Sequence, residues 1–190
     1  MTTKNIMIVG VGGQGSLLAS RVLGNLLLGE GFDVKVSEVH GMSQRGGSVV
    51  TYVRYGDKVY SPIVDEGQAD FIISFEPLEA ARWLSYLAPN GKIITNTQQV
   101  DPMPVITGAA QYPDDIVGKM RAAGADVDAF DALSVATQAG SGKAVNIALL
   151  GRASRYFEFS DGAWTNALES TVPPRFIEMN KKAFELGKNA

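Results

Sequence analysis

The sequence predicts an α/β fold: a single three-layer α/β/α domain around a mainly parallel, doubly wound, Rossmann-like sheet that carries a β-hairpin insertion. Three observations predict it. Short β-rich runs alternate with stretches of helical spacing along the chain, the pattern of strands joined by crossover helices. The first strand runs straight into a glycine-rich turn and then a helix. The 190 residues show no internal repeat, low-complexity segment or linker, so they read as one domain over 1–190, long enough to bury a core.

The elements follow in order. NIMIV (Asn5–Val9) is the first strand and ends in GVGGQG (Gly10–Gly15). Helical spacing runs from Ser16 to Leu28 and is stopped by Gly29 and Gly31. DVKVSEV (Asp33–Val39) is a second strand, delivering the chain to HGMSQRGG (His40–Gly47). VVTYVRY and KVYS flank Gly56-Asp57, the signal of an antiparallel hairpin. ADFIISF (Ala69–Phe75) reads as a buried central strand, PLEAARWLSYL as a helix, KIITN (Lys92–Asn96) as a strand and MPVIT as a short one. Asp114–Ala123 is helical, and DVDAFDA is a strand leading into the helix ALSVATQAG. Val145–Tyr156 reads as a buried helix and Pro174–Leu186 as an amphipathic terminal one, with Met179, Phe184 and Leu186 as packing residues. Trp83, Tyr86 and Leu87 have the spacing of a packed helical face.

Composition removes several functions. Hydrophobic residues make up 45% and charged residues 19%, ordinary for a globular chain. A net charge of −3 offers no basic face for a phosphate backbone, so nucleic acid is not expected. No apolar run approaches the ~20 residues of a membrane span, and the N-terminal apolar run leads into a glycine turn rather than a cleavage site, so the cytoplasm is the expected location. With 0 cysteines the chain has no disulfide, no thiolate nucleophile and no ligands for an iron–sulfur cluster. Its 1 histidine argues against a zinc site built from imidazoles, and no metal site is expected.

GVGGQG after a strand and before a helix matches G-x-G-x-x-G. Gly10, Gly12, Gly13, Gln14 and Gly15 are therefore candidates for a phosphate-cradling turn at a helix N-terminus. Glu38, at the end of the second strand, stands where a ribose-binding acid is expected. The same glycines also suit close packing of the first helix on the first strand, and the motif alone leaves both readings open.

HGMSQRGG gathers an imidazole, a thioether, a hydroxyl, an amide and a guanidinium in one loop. Taken together, GVGGQG, EVHGMSQRGGSV, SFEPLEAARWL and the downstream GKAVN (Gly142–Asn146) resemble the gamma-type domain of the 2-oxoacid:ferredoxin oxidoreductases. The resemblance covers essentially the whole chain and is nearest to the indolepyruvate-using branch, where this domain is a separate beta subunit. It implies a complex in which an aryl 2-oxoacid is decarboxylated on thiamine diphosphate and the acyl group passes to coenzyme A. Electrons leave through iron–sulfur clusters to ferredoxin. This chain has no cysteine, and its Gly56-Asp57 leads to Lys58, with no paired asparagines anywhere. The resemblance therefore implies an accessory subunit that binds none of these cofactors alone. Thiamine diphosphate and the clusters belong to a larger alpha subunit, its partner.

In that complex the loop would face the crevice beyond the carboxyl ends of the strands. Arg45 is a candidate for bidentate pairing with a carboxylate or phosphate. His40 is a candidate hydrogen-bond donor or proton shuttle. Gly41, Met42, Ser43, Gln44, Gly46 and Gly47 are candidates for facing the ligand or partner, against the alternative of a loop that satisfies its own polar groups. Glu76 of SFEP, followed by Pro77, reads either as a crevice residue or as a helix-start signal. Asn96, at the end of a strand, is a candidate by the same crevice-edge argument. Lys143 and Asn146 lie three apart, on one helical face or as caps. Two other functions compete: an autonomous NAD- or FAD-binding oxidoreductase that uses GVGGQG, and a non-enzymatic module binding coenzyme A or a nucleotide.

Overall fold

The structure, a computed structural model, describes residues 3–40 and 47–190. Six strands form one sheet in the order β2-β3-β1-β4-β5-β6. They are β1 (Lys4–Val11), β2 (Asp33–His40), β3 (Ser48–Gly56), β4 (Ala69–Ser74), β5 (Leu87–Asn96) and β6 (Asp126–Phe130). β1, β4, β5 and β6 pair in parallel, whereas β3 runs antiparallel to both β1 and β2. Five strands thus point one way and β3 alone is reversed.

The helices are α1 (Ser16–Gly29), α2 (Pro77–Arg82), α3 (Met103–Ile106), α4 (Ile116–Ala122), α5 (Ala132–Ala139), α6 (Val145–Ser154), α7 (Asp161–Thr171) and α8 (Ile177–Asn189). Strand alternation divides the core in two, since successive side chains point to opposite faces. Ile6, Ile8, Val53, Ile73 and Ile94 face the layer of α1, α5, α6, α7 and α8. Met7, Val9, Val50, Ile72 and Ile93 face the thinner layer built on α2 and α4. α6 and α8 pack backbone to backbone. A Cβ added at Gly151 would lie 2.0 Å from the Phe184 carbonyl oxygen, and one at Gly187 would lie 2.0 Å from that of Ala148.

Three expectations need correction. The hairpin across Gly56-Asp57 does not form: β3 ends at Gly56, and its antiparallel partners are β1 and β2. Residues 57–68 are held by side chains instead. The Asp33 carboxylate accepts from Val59 N at 2.9 Å, while the Arg54 guanidinium donates to the carbonyls of Ser61 (2.9 Å) and Ile63 (2.8 Å). MPVIT is a helical turn, α3, because Pro104 has no N–H for a ladder and the Pro102 carbonyl accepts from Val105 and Ile106. The helix after SFEP stops at Arg82; a 3₁₀ turn, Leu84–Tyr86, follows, and Leu87 already belongs to β5. Trp83 and Tyr86 do pack together, ring centroids 5.0 Å apart. α7 went unforeseen: it starts on a Ser160 side-chain cap and buries Trp164, Ala167 and Leu168.

Candidate functional site at the carboxyl ends of the strands

The carboxyl ends of β1, β4 and β5 carry the glycine turn, Glu76 and Asn96 respectively, and they lie side by side because the three strands are neighbours. Connections leave β1 toward β2 and leave β4 toward β5, so the sheet reverses its winding between β1 and β4. Open α/β sheets place their ligand crevice at such a switch point.

Within the turn, the glycines divide by role. The Gln14 side chain folds back inside it: its Oε1 accepts from Val11 N at 2.7 Å and its Nε2 donates to the Phe75 carbonyl at 3.4 Å. Gly10 leaves room for that amide, since a Cβ there would sit 2.8 Å from Gln14 Oε1. Gly15, in the left-handed region at φ 86°, leaves room for Asn146, whose Nδ2 donates to the Gly15 carbonyl at 3.2 Å. Gly13, at φ 96°, has open space where a Cβ would project and lines the crevice. Gly12 N donates to the Gly47 carbonyl at 2.9 Å, and Ser48 pairs with Val11 across the β1–β3 ladder. The far end of HGMSQRGG is thereby fastened to the glycine turn.

The crevice beside Gly13, Gln14 and Gly15 measures about 460 Å³, and Gln98, Val100 and Lys143 contribute to its other wall. α1 opens on it without a side-chain cap. Lys143 is exposed on a 3₁₀ turn, Gly142–Ala144, and forms no ion pair among the described residues. Asn146 is buried at 3% exposure in α6, so Lys143 and Asn146, read as sharing one helical face or as caps, lie apart: Lys143 lines the crevice, and Asn146 ties α6 to the glycine turn.

Glu76 and Asn96 are buried, and each is tied into the scaffold. Asn96 Nδ2 donates to the Phe75 carbonyl at 3.3 Å, and its Oδ1 accepts from Ala132 N at 3.1 Å, fixing the start of α5. Glu76 caps α2, accepting from Glu79 N at 2.9 Å, and its other oxygen accepts from the Tyr112 hydroxyl and from Val100 N at 3.4 Å. Burial first, then the Glu76 carboxylate, pushes the Tyr112 hydroxyl well above the usual tyrosine range. Glu76 therefore starts α2 and, from a buried position, is tied through Val100 N to a residue of the crevice wall.

Glu79, Tyr112 and Ser48 were missed. Glu79 is 5% exposed, accepts from the Ser48 hydroxyl and pairs with Arg82 at 3.2 Å. Burial raises its pKa, a push the Ser48 hydrogen bond and Arg82 oppose and Glu76 reinforces. An acid in the first turn after Pro77 was the only signal, and it reads equally as a response to the helix dipole. His40 is the last residue of β2, opposite Val49. Gly41, Met42, Ser43, Gln44, Arg45 and Gly46 lie outside the described residues.

Glu38 does not fit the dinucleotide reading. β3 lies between β1 and β2, which moves the end of β2 about two strand spacings, roughly 10 Å, from the glycine turn. The Glu38 carboxylate instead accepts from the Ser20 hydroxyl at 2.9 Å.

Fold and site together define an α/β crevice protein in which a glycine turn at the carboxyl end of β1 is hydrogen-bonded to Gly47, at the start of the chain leading into β3. The chain belongs to the pyruvate ferredoxin/flavodoxin oxidoreductase family, whose model matches residues 5–190. It is 44% identical over 202 aligned positions to the indolepyruvate oxidoreductase subunit IorB of Thermococcus kodakarensis, covering 100% of this chain and 96% of that one. Among solved structures it shares its fold with the pyruvate oxidoreductase subunit PORC of Thermotoga maritima. That likeness has a TM-score of 0.76 and 20% identity, and covers 100% of this chain and 97% of the other. It also superposes, with a TM-score of 0.73 and 18% identity, on 31% of the longer 2-oxoglutarate:ferredoxin oxidoreductase chain of Magnetococcus marinus, covering 100% of this chain.

Proposed function

We propose that this chain is the small subunit of a heteromeric 2-oxoacid:ferredoxin oxidoreductase that converts indolepyruvate and related aryl 2-oxoacids to acyl-coenzyme A, working in the cytoplasm. The observation that carries the reading is the Gly12–Gly47 hydrogen bond, which seats the end of HGMSQRGG against the glycine turn at the crevice. Relatives 34–44% identical over nearly the full chain are all named as this kind of subunit.

The side chains present do not suit every group such a complex uses. With 0 cysteines they cannot ligate an iron–sulfur cluster, and Gly56-Asp57-Lys58 closes a β-strand without the residues that hold a thiamine diphosphate metal. Those groups belong to the larger alpha subunit. The crevice does suit the phosphates of coenzyme A: α1 lacks a capping side chain, Gly13 leaves its backbone open to approach, and Lys143 supplies a cation. Coenzyme A would bring the thiol that accepts the acyl group. Lys143 and the first N–H groups of α1 would hold its phosphates, while Gln98 and Val100, steadied by Glu76, would wall its entry. Gly41–Gly47, with His40 and Arg45, would then meet the partner's substrate site, Arg45 offering a planar two-pronged donor to the 2-oxoacid carboxylate or a phosphate.

The test is reconstitution. The purified chain alone should reduce no ferredoxin or viologen dye with indolepyruvate and coenzyme A, and adding the larger subunit should restore the reaction. Turnover by the chain alone, or failure of the two to associate, defeats the reading.

A further inference from the structure

At the other end of the sheet a second cavity, of about 320 Å³, opens among the rings of Phe32, Tyr55, Phe71, Phe157 and Phe159. It sits where β1 and β4 begin and β3 ends, as far from the crevice as the strands allow. Two features set it apart from ordinary aromatic packing.

The first is Tyr55. It is 4% exposed, yet its hydroxyl forms no hydrogen bond with any described residue, whereas a buried tyrosine hydroxyl normally finds a partner. Nor is it sealed in. The side-chain polar atoms that are both enclosed and unpartnered among the described residues are Trp83 Nε1, Arg152 Nη1 and Trp164 Nε1. The Tyr55 hydroxyl is not among them, and Tyr55 lines the cavity. Burial pushes its pKa up to about 12, with Asp70 and Glu158 adding to the push, so it stands protonated; Glu158 lines the same cavity.

The second is the charge at the mouth. Lys4 and Asp70 neutralise each other at 2.9 Å, and Asp70 also accepts from Asn5 N at 2.8 Å. Glu158 is exposed at the rim and forms no ion pair among the described residues. One uncompensated negative charge therefore overlooks a cup of aromatic faces, and both attract a cation. A carboxylate ligand meets repulsion there. The volume is at the low end for small-molecule sites and suits one ring system with a short arm, not a nucleotide.

We propose that this cavity is a binding site for a small aryl-alkyl amine, the ring seated among Phe32, Phe71 and Phe159, with the ammonium held by the Tyr55 oxygen and the Glu158 carboxylate. The site is independent of the functional reading above and stands opposite the crevice, so it suits an effector rather than the anionic 2-oxoacid.

Phenethylamine is the probe and phenylacetate its anionic counterpart, titrated calorimetrically into the full chain at pH 7. Trp164, 6.0 Å from Phe157, provides an emission signal. Phenethylamine should bind saturably, and phenylacetate at least about tenfold more weakly, a gap of roughly 1.4 kcal/mol. Tyr55→Phe should weaken phenethylamine about five- to tenfold while leaving the unliganded melting temperature nearly unchanged, because that hydroxyl bonds no described residue. Glu158→Gln, at an exposed position, should narrow the preference for amine over carboxylate, and it carries the test should Tyr55→Phe not fold. No saturable binding at millimolar phenethylamine, equal binding of phenylacetate, or indifference to both substitutions overturns the proposal.

Discussion

Gly15 and Gly13 share a left-handed backbone, φ 86° and 96°, but only Gly15 has a neighbour in the way, the Asn146 amide nitrogen 2.7 Å from an added Cβ. Gly15→Ala should cost about 2 kcal/mol or more, combining roughly 1–2 kcal/mol of backbone strain with displacement of Asn146. The melting temperature should fall by roughly 4–8 °C. Gly13→Ala should cost the strain alone and mainly weaken whatever enters the crevice. Equal melting losses would mean that Asn146 yields without penalty. Glu79 makes a second residue-level prediction. Its pKa is raised in the folded chain, chiefly by burial, so the folded state takes up a proton that the unfolded state does not. Its contribution to stability therefore improves as pH falls from Glu79's raised value toward that of an ordinary glutamate. Glu79→Gln, which keeps an acceptor for Ser48, should raise stability at pH 7 by up to about 1 kcal/mol, a gain that shrinks on acidification. Urea unfolding at pH 7 and pH 5 reads both, and a loss at pH 7 that is the same at pH 5 would show that the Arg82 pair outweighs the burial.

At the scale of elements, α6 and α8 owe their contact to two glycines. Gly151→Ala drives a methyl into the Phe184 carbonyl, which is backbone and cannot swing aside, so the helices must separate. The expected cost is about 3 kcal/mol, the upper end of typical overpacking, with a fall of roughly 6–12 °C in melting temperature. Gly24 of α1 is the internal contrast. It is helical with nothing within 4 Å of an added Cβ, so Gly24→Ala should stabilise by up to about 1 kcal/mol. A small loss at Gly151 in differential scanning calorimetry would mean the two helices slide apart easily. Nothing in the residues around Gly151 and Gly187 announces this contact, because a glycine in a helix reads locally as a weakness; its reason lies on another helix, at Phe184 for Gly151 and at Ala148 for Gly187.

At the scale of the whole molecule, Arg45 gives the prediction that separates a surface presented to a partner from one that serves the fold. Arg45→Ala should leave the stability of the free chain within about half a kcal/mol. In the reconstituted complex it should lower kcat/KM for indolepyruvate or coenzyme A by about ten- to a hundredfold, the loss of one charge-assisted hydrogen bond of roughly 1.5–3 kcal/mol. Arg45→Lys should recover only part of this, since an ammonium lacks the guanidinium's planar fork. A free chain that unfolds, with full activity in whatever complex remains, would make the loop structural. Local signals were enough for the alternation of strands and helices, for the glycine turn and for the absence of cluster ligands, since each depends on residues adjacent in sequence. The sequence named the residues of the crevice region without their placement: Gly13 and Lys143 line the crevice, while Glu76, Asn96 and Asn146 are buried behind it and tied to its surroundings, a division set by contacts between distant parts of the chain.

What the sequence determined unaided is what near-neighbour physics controls: period-2 and helical patterning, turn chemistry, the zero cysteines, and a family likeness carried by GVGGQG and HGMSQRGG together. What only the tertiary structure decided is which strand lies beside which. β3 could pair with the KVYS run across a two-residue turn, or insert between β1 and β2. Between the two strands it pairs along both edges and places Val53 and Tyr55 in one core and Val50 in the other. The KVYS pairing would leave one edge open. That choice put Glu38 out of reach of the glycine turn and brought Gly47 onto Gly12, because burial and ladder completion are summed over the whole sheet rather than over any stretch of chain.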